Sequence, residues 1–220
     1  MPNISILLSI FEPNLSDLKR TINSISSQSF KDFELILVKD DDNEMTLQIL
    51  KNISNVIDNV VLIDNYINLG LVKSLNKALM ISKGKYIARI DVGDWWHNNK
   101  LEEQYKEIVA NDLVLIGTQV KFFGTNHHPI WGAHQGIDHH PLKSSKLPES
   151  DEVIRAYILA GKNPFVHSSV MFKKIKNIKY NEKALHTEDF ELWCRCSFIG
   201  PMSNLSNEYT NYLFDIKGIT

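Results

Sequence analysis

Cysteine is nearly absent: the 220 residues hold two, Cys194 and Cys196. They lie two positions apart on a segment that reads as helix, so they point to different faces and a disulfide between them is not expected. Two lone thiols suit a reducing compartment. A basic surplus is missing as well. Lys and Arg number 24 against 26 Asp and Glu, a net charge of −2, which excludes general attraction to nucleic acid. No apolar run reaches the ~18 residues needed to span a bilayer. The apolar stretch Met1 to Phe11 is short and lacks a basic leader; it reads as a first strand rather than a signal peptide. Internal repeats and coiled-coil heptads are also missing. These absences lead to the expectation of a cytoplasmic protein, with surface contact to a membrane left open.

What is present is ordinary in bulk, 43% apolar and 23% charged residues, and informative in pattern. Ser5 to Phe11 reads as strand. Leu15, Leu18, Ile22 and Ile25 recur at helical spacing behind Asn14, a natural cap. Glu34 to Val38 is apolar on both faces, as a buried parallel strand is. Asp40-Asp41-Asp42-Asn43 breaks that run and opens a helix through Leu50. Val60 to Ile63 is a third strand. Leu71 to Ser82 is helical, with Gly84 placed as its C-cap, and Lys85 to Ile90 is a fourth strand. A helix over Leu101 to Val109 and a strand over Leu113 to Gly117 follow. This alternation predicts an open α/β sheet, mostly parallel. In such sheets ligands bind outside the carboxyl ends of the strands, where Asp40 and Asp91 both fall. The most telling stretch is Asp91-Val-Gly-Asp94, two carboxylates delivered to one sheet edge. Such an edge can hold a divalent cation, and the cation a diphosphate.

From Phe123 onward the character changes. Residues 124–150 are rich in His, Pro, Gly and Ser and read as a long loop or lid. A short helix over Asp151 to Leu159, a strand over Ser169 to Lys173, and a helix over Thr187 to Phe198 capped by Thr187 complete the pattern.

In order along the chain, five segments resemble inverting glycosyltransferases of family 2, which have the GT-A fold. They are Ser5-Ile-Leu-Leu-Ser-Ile-Phe11; the run from Ser24 to Asp40; Asn68-Leu-Gly-Leu with Leu75-Asn-Lys-Ala78 and Gly84-Lys-Tyr-Ile-Ala-Arg-Ile-Asp91; Asn163-Pro-Phe-Val-His-Ser-Ser-Val-Met-Phe172; and Thr187-Glu-Asp-Phe-Glu-Leu-Trp193. The resemblance implies one domain, with a Rossmann-like nucleotide-binding half over 1–117 and a smaller acceptor-binding half over 118–220. It implies transfer of a sugar from a UDP-sugar to a hydroxyl of a surface glycan or lipid-linked acceptor, at the inner face of a membrane. Mn²⁺ or Mg²⁺ would neutralise the leaving diphosphate, held by oxygen ligands.

By the same resemblance, Asp91 and Asp94 are the metal ligands, and Asp91 also contacts the nucleotide. Many members read Asp-x-Asp-Asp; Gly93 stands here at the usual ligand position, so either Asp94 takes over or metal binding is weak. The alternative for Asp94 is a helix cap. Asp40 would accept a hydrogen bond from a uracil N–H, with Lys39 replacing the family's first acid. Ser9 and Phe11 would line the base pocket, or Phe11 would pack in the core. Asp189, second of an acidic pair, would be the general base that inversion requires; two acids in a first turn also suit the helix dipole. Trp193, Trp95, Trp96 and Trp131 are candidates for sugar stacking or for core packing, and His167 for facing the diphosphate or bonding within the fold. His127, His128, His134, His139 and His140 match no zinc pattern and read as a solvated loop. Two rival readings are a non-catalytic nucleotide-sugar binder and a sugar nucleotidyltransferase. The glycine-free Ser9-Ile-Phe-Glu-Pro-Asn14 counts against the second.

Overall fold

The computed structural model describes residues 1–55, 57–125, 139–141 and 146–214. Strand and helix alternate first: β1 (Ile4–Ile10), α1 (Leu15–Ser26), β2 (Phe33–Lys39), α2 (Glu44–Ser54), β3 (Val60–Asp64), α3 (Leu71–Ile81) and β4 (Tyr86–Arg89). There follow β5 (Trp95–Trp96), α4 (Lys100–Ala110), β6 (Leu115–Thr125), β7 (His139–Pro141), α5 (Asp151–Leu159), a 3₁₀ turn (His167–Ser169), β8 (Met171–Lys173), α6 (Glu188–Ser197) and β9 (Met202–Phe214).

The described strands form one sheet in the order β3-β2-β1-β4-β8-β6-β9-β5, with β7 beside β6. The first four strands in chain order are parallel. Beyond them the sheet is mixed: β8 is antiparallel to β4 and β6, and β9 runs parallel to β6. Helices α1, α2 and α4 cover one face through Leu18, Ile22, Leu50, Leu101 and Ile108. Helices α3, α5 and α6 cover the other through Leu75, Leu79, Ile154, Leu192 and Trp193. All seven residues of β2 are therefore buried. Each fully buried large apolar side chain contributes roughly 1.5–3 kcal/mol.

The caps explain where helices begin. Asn14 accepts from the Ser16 and Asp17 amides, and Asn43 from Met45. Asp41 accepts instead from the Asn43 and Glu12 amides, bracing the turn after β2. Thr187 sits at the start of α6 but makes no side-chain cap.

Three expectations change. Gly84 is not the cap of α3, which ends at Ile81 with Ser82 behind it. It runs against β1, where its amide donates to Ser5 Oγ at 2.8 Å and a Cβ would collide with the Ser5 backbone. The strand expected over Leu113 to Gly117 starts at Leu115 and continues to Thr125, into the region read as loop. The largest omission is β9, 13 residues long, which pairs along β6 with two register shifts and receives β5 on its other side.

Candidate active site

The carboxyl ends of β1, β2 and β4 form one rim, and the acids lie on it. The Asp40 amide donates to Ile10 O at 2.8 Å, tying the end of β2 to that of β1. The Asp40 carboxylate is 2% exposed, and its Oδ1 accepts from Asn65 Nδ2 and the Leu69 amide, both at 2.8 Å. Lys77 Nζ, 2.7 Å from Asn65 Oδ1, locks the amide that holds Asp40. Lys39 turns away from this acceptor. Its Nζ donates to Asp41 O at 2.7 Å and pairs with Asp64 at 3.2 Å. Phe11 is 49% exposed, which removes the core-packing alternative and leaves its ring at the end of β1 beside the half-buried Ser9.

The second acid group follows β4. Asp94 donates its amide to Asp91 O at 3.2 Å, closing a turn that includes Gly93 at φ 102°. Thr21 Oγ1 accepts from the Gly93 amide and donates to Asp94 O, and Arg20 donates to Gly93 O, so α1 fixes the turn. Asp91 pairs with Arg89, whose guanidinium is fully buried in β4, and its amide donates to Ser168 Oγ at 3.0 Å. Burial disfavours the charge, but Arg89, His167 and Ser168 together outweigh it and hold the carboxyl below its ordinary value, with the side chain 38% exposed.

Asp94 behaves oppositely. It is 2% exposed, its Oδ1 accepts from the Leu213 amide at 2.8 Å, and its Oδ2 has no partner among the described residues. Burial and then the Asp91 charge push its carboxyl up to about 8, against the weaker pull of Ser168 and Leu213. It caps no helix: α4 starts at Lys100, behind Asn99.

A divalent cation fits this donor set. Two carboxylates share one turn, and one of them has a buried oxygen with no partner. No group of three or more His, Cys, Asp or Glu among the described residues gathers to enclose an ion. The remaining ligands would be phosphate oxygens and water, the usual arrangement for Mg²⁺ bound with a nucleotide.

Asp189 stands in the first turn of α6. Its Oδ2 accepts from Asn163 Nδ2 at 2.9 Å and its Oδ1 from the Phe190 amide at 2.6 Å. Burial raises its pKa, and Asp91 adds to the rise. His167 bonds within the fold, its Nε2 2.8 Å from the Tyr180 hydroxyl. Burial and Arg89 press its pKa down to about 3, so the ring is neutral.

The tryptophans divide against the stacking expectation. Trp193 is fully buried, edge-on to Phe165, Phe172 and His167. Trp96 is also buried, its Nε1 donating to Ser168 O and its ring under Lys100 Nζ at 4.0 Å. Trp95 packs tilted against Phe123 and takes the Arg20 guanidinium over its ring at 4.7 Å. Trp131, His127, His128 and His134 lie outside the described residues, and His139 and His140 fall on β7.

Sequence reasoning missed Arg89, Ser168, Asn163 and Leu213. Arg89 left a signal, a lone charge inside an apolar strand. Leu213 left none, because it acts through its amide.

Comparison with known proteins bears on this geometry. The model of the family described as "Glycosyl transferase family 2" matches residues 5–190. An uncharacterized glycosyltransferase of Methanocaldococcus jannaschii is 31% identical over 199 residues, covering 89% of this chain and 64% of its own length. The O-antigen biosynthesis glycosyltransferase WbnJ of Escherichia coli is 31% identical over 199 residues, 87% of this chain and 72% of WbnJ. Against the first three curated relatives the chain spans 64%, 65% and 66% of their lengths. Among solved structures, S. aureus TarS with UDP-GlcNAc superposes with TM-score 0.71 at 19% identity, covering 98% of this chain and 59% of that one. The mannosyltransferase PcManGT of Pyrobaculum calidifontis, with GDP-Man and Mn²⁺, gives TM-score 0.68 at 10% identity, covering 99% and 59%.

Proposed function

This chain belongs to glycosyl transferase family 2 and has the GT-A fold, and we propose that it is an inverting enzyme moving a sugar from a UDP-sugar to a hydroxyl of a glycan acceptor. One observation carries the reading. Asp40, Asp91 and Asp94 share the carboxyl rim of the sheet, and Asp189 on α6 feels the Asp91 charge, which adds to the rise of its pKa.

Each residue then has a task. Ser9 and Phe11 line the base pocket, and Asp40, its Oδ1 already held, presents Oδ2 to the ring N–H of uracil. Asp91 and Asp94 are the residues that would hold Mn²⁺ or Mg²⁺; when bound, the ion supplies positive charge against the departing UDP. Asp189 takes the proton of the acceptor hydroxyl as its oxygen attacks the anomeric carbon from the face opposite UDP. The new C–O bond forms as the bond to the diphosphate breaks, which inverts the centre. A base with a raised pKa suits this task, because it holds a proton better than an exposed aspartate does. Asn163 positions one of its oxygens.

The name of WbnJ and the UDP-GlcNAc bound to TarS support a UDP-sugar donor and a surface polysaccharide, lipopolysaccharide or capsule, as product. No described helix is long and apolar enough to cross a membrane. For a lipid-linked acceptor we place the enzyme in the cytoplasm, at the inner membrane face.

The test is a panel of UDP-sugars with Mn²⁺ and with Mg²⁺. UDP release with glycoside formation is expected. Asp189→Asn should lower transfer by at least ~100-fold, the usual contribution of a general base, while UDP affinity by calorimetry stays level. Transfer that survives in Asp189→Asn moves the base elsewhere. Binding without turnover in the parent chain makes it a donor-binding module, and pyrophosphate chemistry makes it a nucleotidyltransferase.

A further inference from the structure

One short segment joins the two proposed acid sites. Asn163 holds Asp189 at one end, its Nδ2 donating to Asp189 Oδ2 at 2.9 Å. Ser168 holds Asp91 at the other: its Oγ accepts from the Asp91 amide at 3.0 Å and donates to Asp91 Oδ2 at 3.3 Å. Only five positions separate the two residues, so even fully extended they stand within roughly 18 Å of each other. The segment is stiff. Pro164 fixes its own φ and restricts Asn163 before it. The Phe165 amide donates to Asn163 Oδ1 at 3.2 Å, and Ser169 sends its amide and its hydroxyl to Val166 O at 2.8 and 2.7 Å.

Three side chains clamp this segment, each by a backbone carbonyl. Asn204 of β9 donates to Pro164 O at 3.0 Å and to Pro148 O at 2.7 Å. Trp96 of β5 donates to Ser168 O at 2.8 Å. Gln104 of α4 donates to Ser169 O at 2.9 Å and to Ile116 O at 3.0 Å. Lys100 fixes two of the three, its Nζ donating to Gln104 Oε1 at 2.7 Å and lying 4.0 Å over the Trp96 ring. Asn204 Oδ1 has no partner among the described residues, so the fold uses this residue for its donors. None of the three is more than 3% exposed. Each therefore acts through the carbonyl it holds rather than on a ligand.

We propose that Asn204, Trp96 and Gln104 are positioning residues: by clamping residues 163–169 they set the separation between Asp91 on the donor side and the base Asp189. Attack opposite the leaving group tolerates little error in that separation, since a displacement of about 1 Å can cost ~100-fold in rate. The proposal rests on the glycosyltransferase reading. It adds three residues that all lie outside the five segments carrying the family resemblance.

The test measures, on the full chain at saturating Mn²⁺, UDP release from the best donor of the UDP-sugar panel, with water serving as acceptor. Calorimetry gives UDP affinity and stoichiometry alongside, and the stoichiometry counts folded chains. Asn204→Leu, close in shape, removes both donors. Its kcat should fall about tenfold while UDP affinity and stoichiometry stay level. In an Asp189→Asn background the same substitution should change kcat by less than about twofold, because the group it positions is already gone. Trp96→Phe keeps a ring under Lys100 and removes the Nε1–H. It should lower kcat about threefold and, acting at the Asp91 end, also weaken Mn²⁺ itself, which Asn204→Leu should not. An equal loss from Asn204→Leu in both backgrounds makes Asn204 a structural prop and overturns the proposal, as does an unchanged kcat in both variants. If Asn204→Leu does not fold, Trp96→Phe decides: an unchanged kcat overturns the proposal, and a lowered one with UDP affinity level supports it. A parent chain that releases UDP from no member of the panel, or keeps its rate in Asp189→Asn, overturns the underlying reading instead, a distinguishable failure.

Discussion

Asp40 and Asp94 are equally buried, at 2% exposure each, and end on the same rim, yet their surroundings are opposites. Asp40 is held by two donors on one oxygen, with Lys77 locking one of them. Asp94 has one donor, a neighbouring carboxylate and an oxygen with no partner among the described residues. The first arrangement is complete and needs only an N–H on its outer face. The second is short of positive charge. On the proposed reading, the acid that already has its donors is the base contact and the acid that lacks them is the ion ligand.

The largest effect tests what stands between them. Arg89 is fully buried, its Nε and Nη1 have no partner among the described residues, and Asp91 is its counter-charge. Asp91→Asn leaves that guanidinium uncompensated and should destabilise the fold by about 3 kcal/mol. Urea denaturation measures it. A loss under ~1 kcal/mol would show that the exposed side of Asp91 already carried most of the solvation. Asp40→Asn should unfold little, since the amide keeps Oδ1 for the Asn65 and Leu69 donors. It should instead weaken UDP about tenfold, the difference between a charged and a neutral acceptor, with Mn²⁺ affinity unchanged. Calorimetry with each ligand separates the two.

The same contrast governs what the sequence reveals. β1 to β4 and the acids Asp40 and Asp91 were legible because short apolar runs ended by acids are local signals. β9 was not. Ser203, Asn204, Ser206, Asn207 and Asn211 give it no apolar alternation, and it exists because β6 offers a partner through a bulged register. Asp94 was legible as an acid but not as a buried one, since the amide that holds it comes from Leu213, 119 residues away. Trp193 and Trp96 were ambiguous for a related reason: a tryptophan near a motif looks the same in sequence whether it faces sugar or core. Here Phe165, His167 and Phe172 pack around Trp193, while Ser168 and Lys100 enclose Trp96.

Protons give a continuous test. The Asp94 carboxyl titrates at about 8 in the fold against 3.8 for an unperturbed group. Between those values the folded chain holds a proton that the unfolded chain has released. Metal-free protein should therefore lose stability as pH rises from about 4 to about 8, by at most ~1.4 kcal/mol per pH unit. Asp94→Asn should flatten that slope while keeping the Leu213 hydrogen bond. If Asp94 holds the ion as proposed, Mn²⁺ displaces the same proton and its affinity should rise with pH over this window. Thermal melts at several pH values, with and without Mn²⁺, measure both. A slope that survives in Asp94→Asn assigns the proton to another group.

The smallest effect concerns Gly93, the position that the family resemblance gave to an acid. Its φ of 102° is strained for any side chain, and a Cβ would press on Leu213 Cδ2 at 3.2 Å. Gly93→Ala should cost about 1 kcal/mol in stability. It should also weaken Mn²⁺ a few-fold, because Leu213 is the residue whose amide holds Asp94. Gly93→Asp carries the same strain and adds a third carboxyl group beside Asp91 and Asp94. If this turn delivers Asp94 in place of the missing acid, Gly93→Asp should bind Mn²⁺ no more tightly than Gly93→Ala. Tighter binding by Gly93→Asp would mean that position 93 remains the ligand position, and that Asp94 holds the turn to β9 without touching the ion.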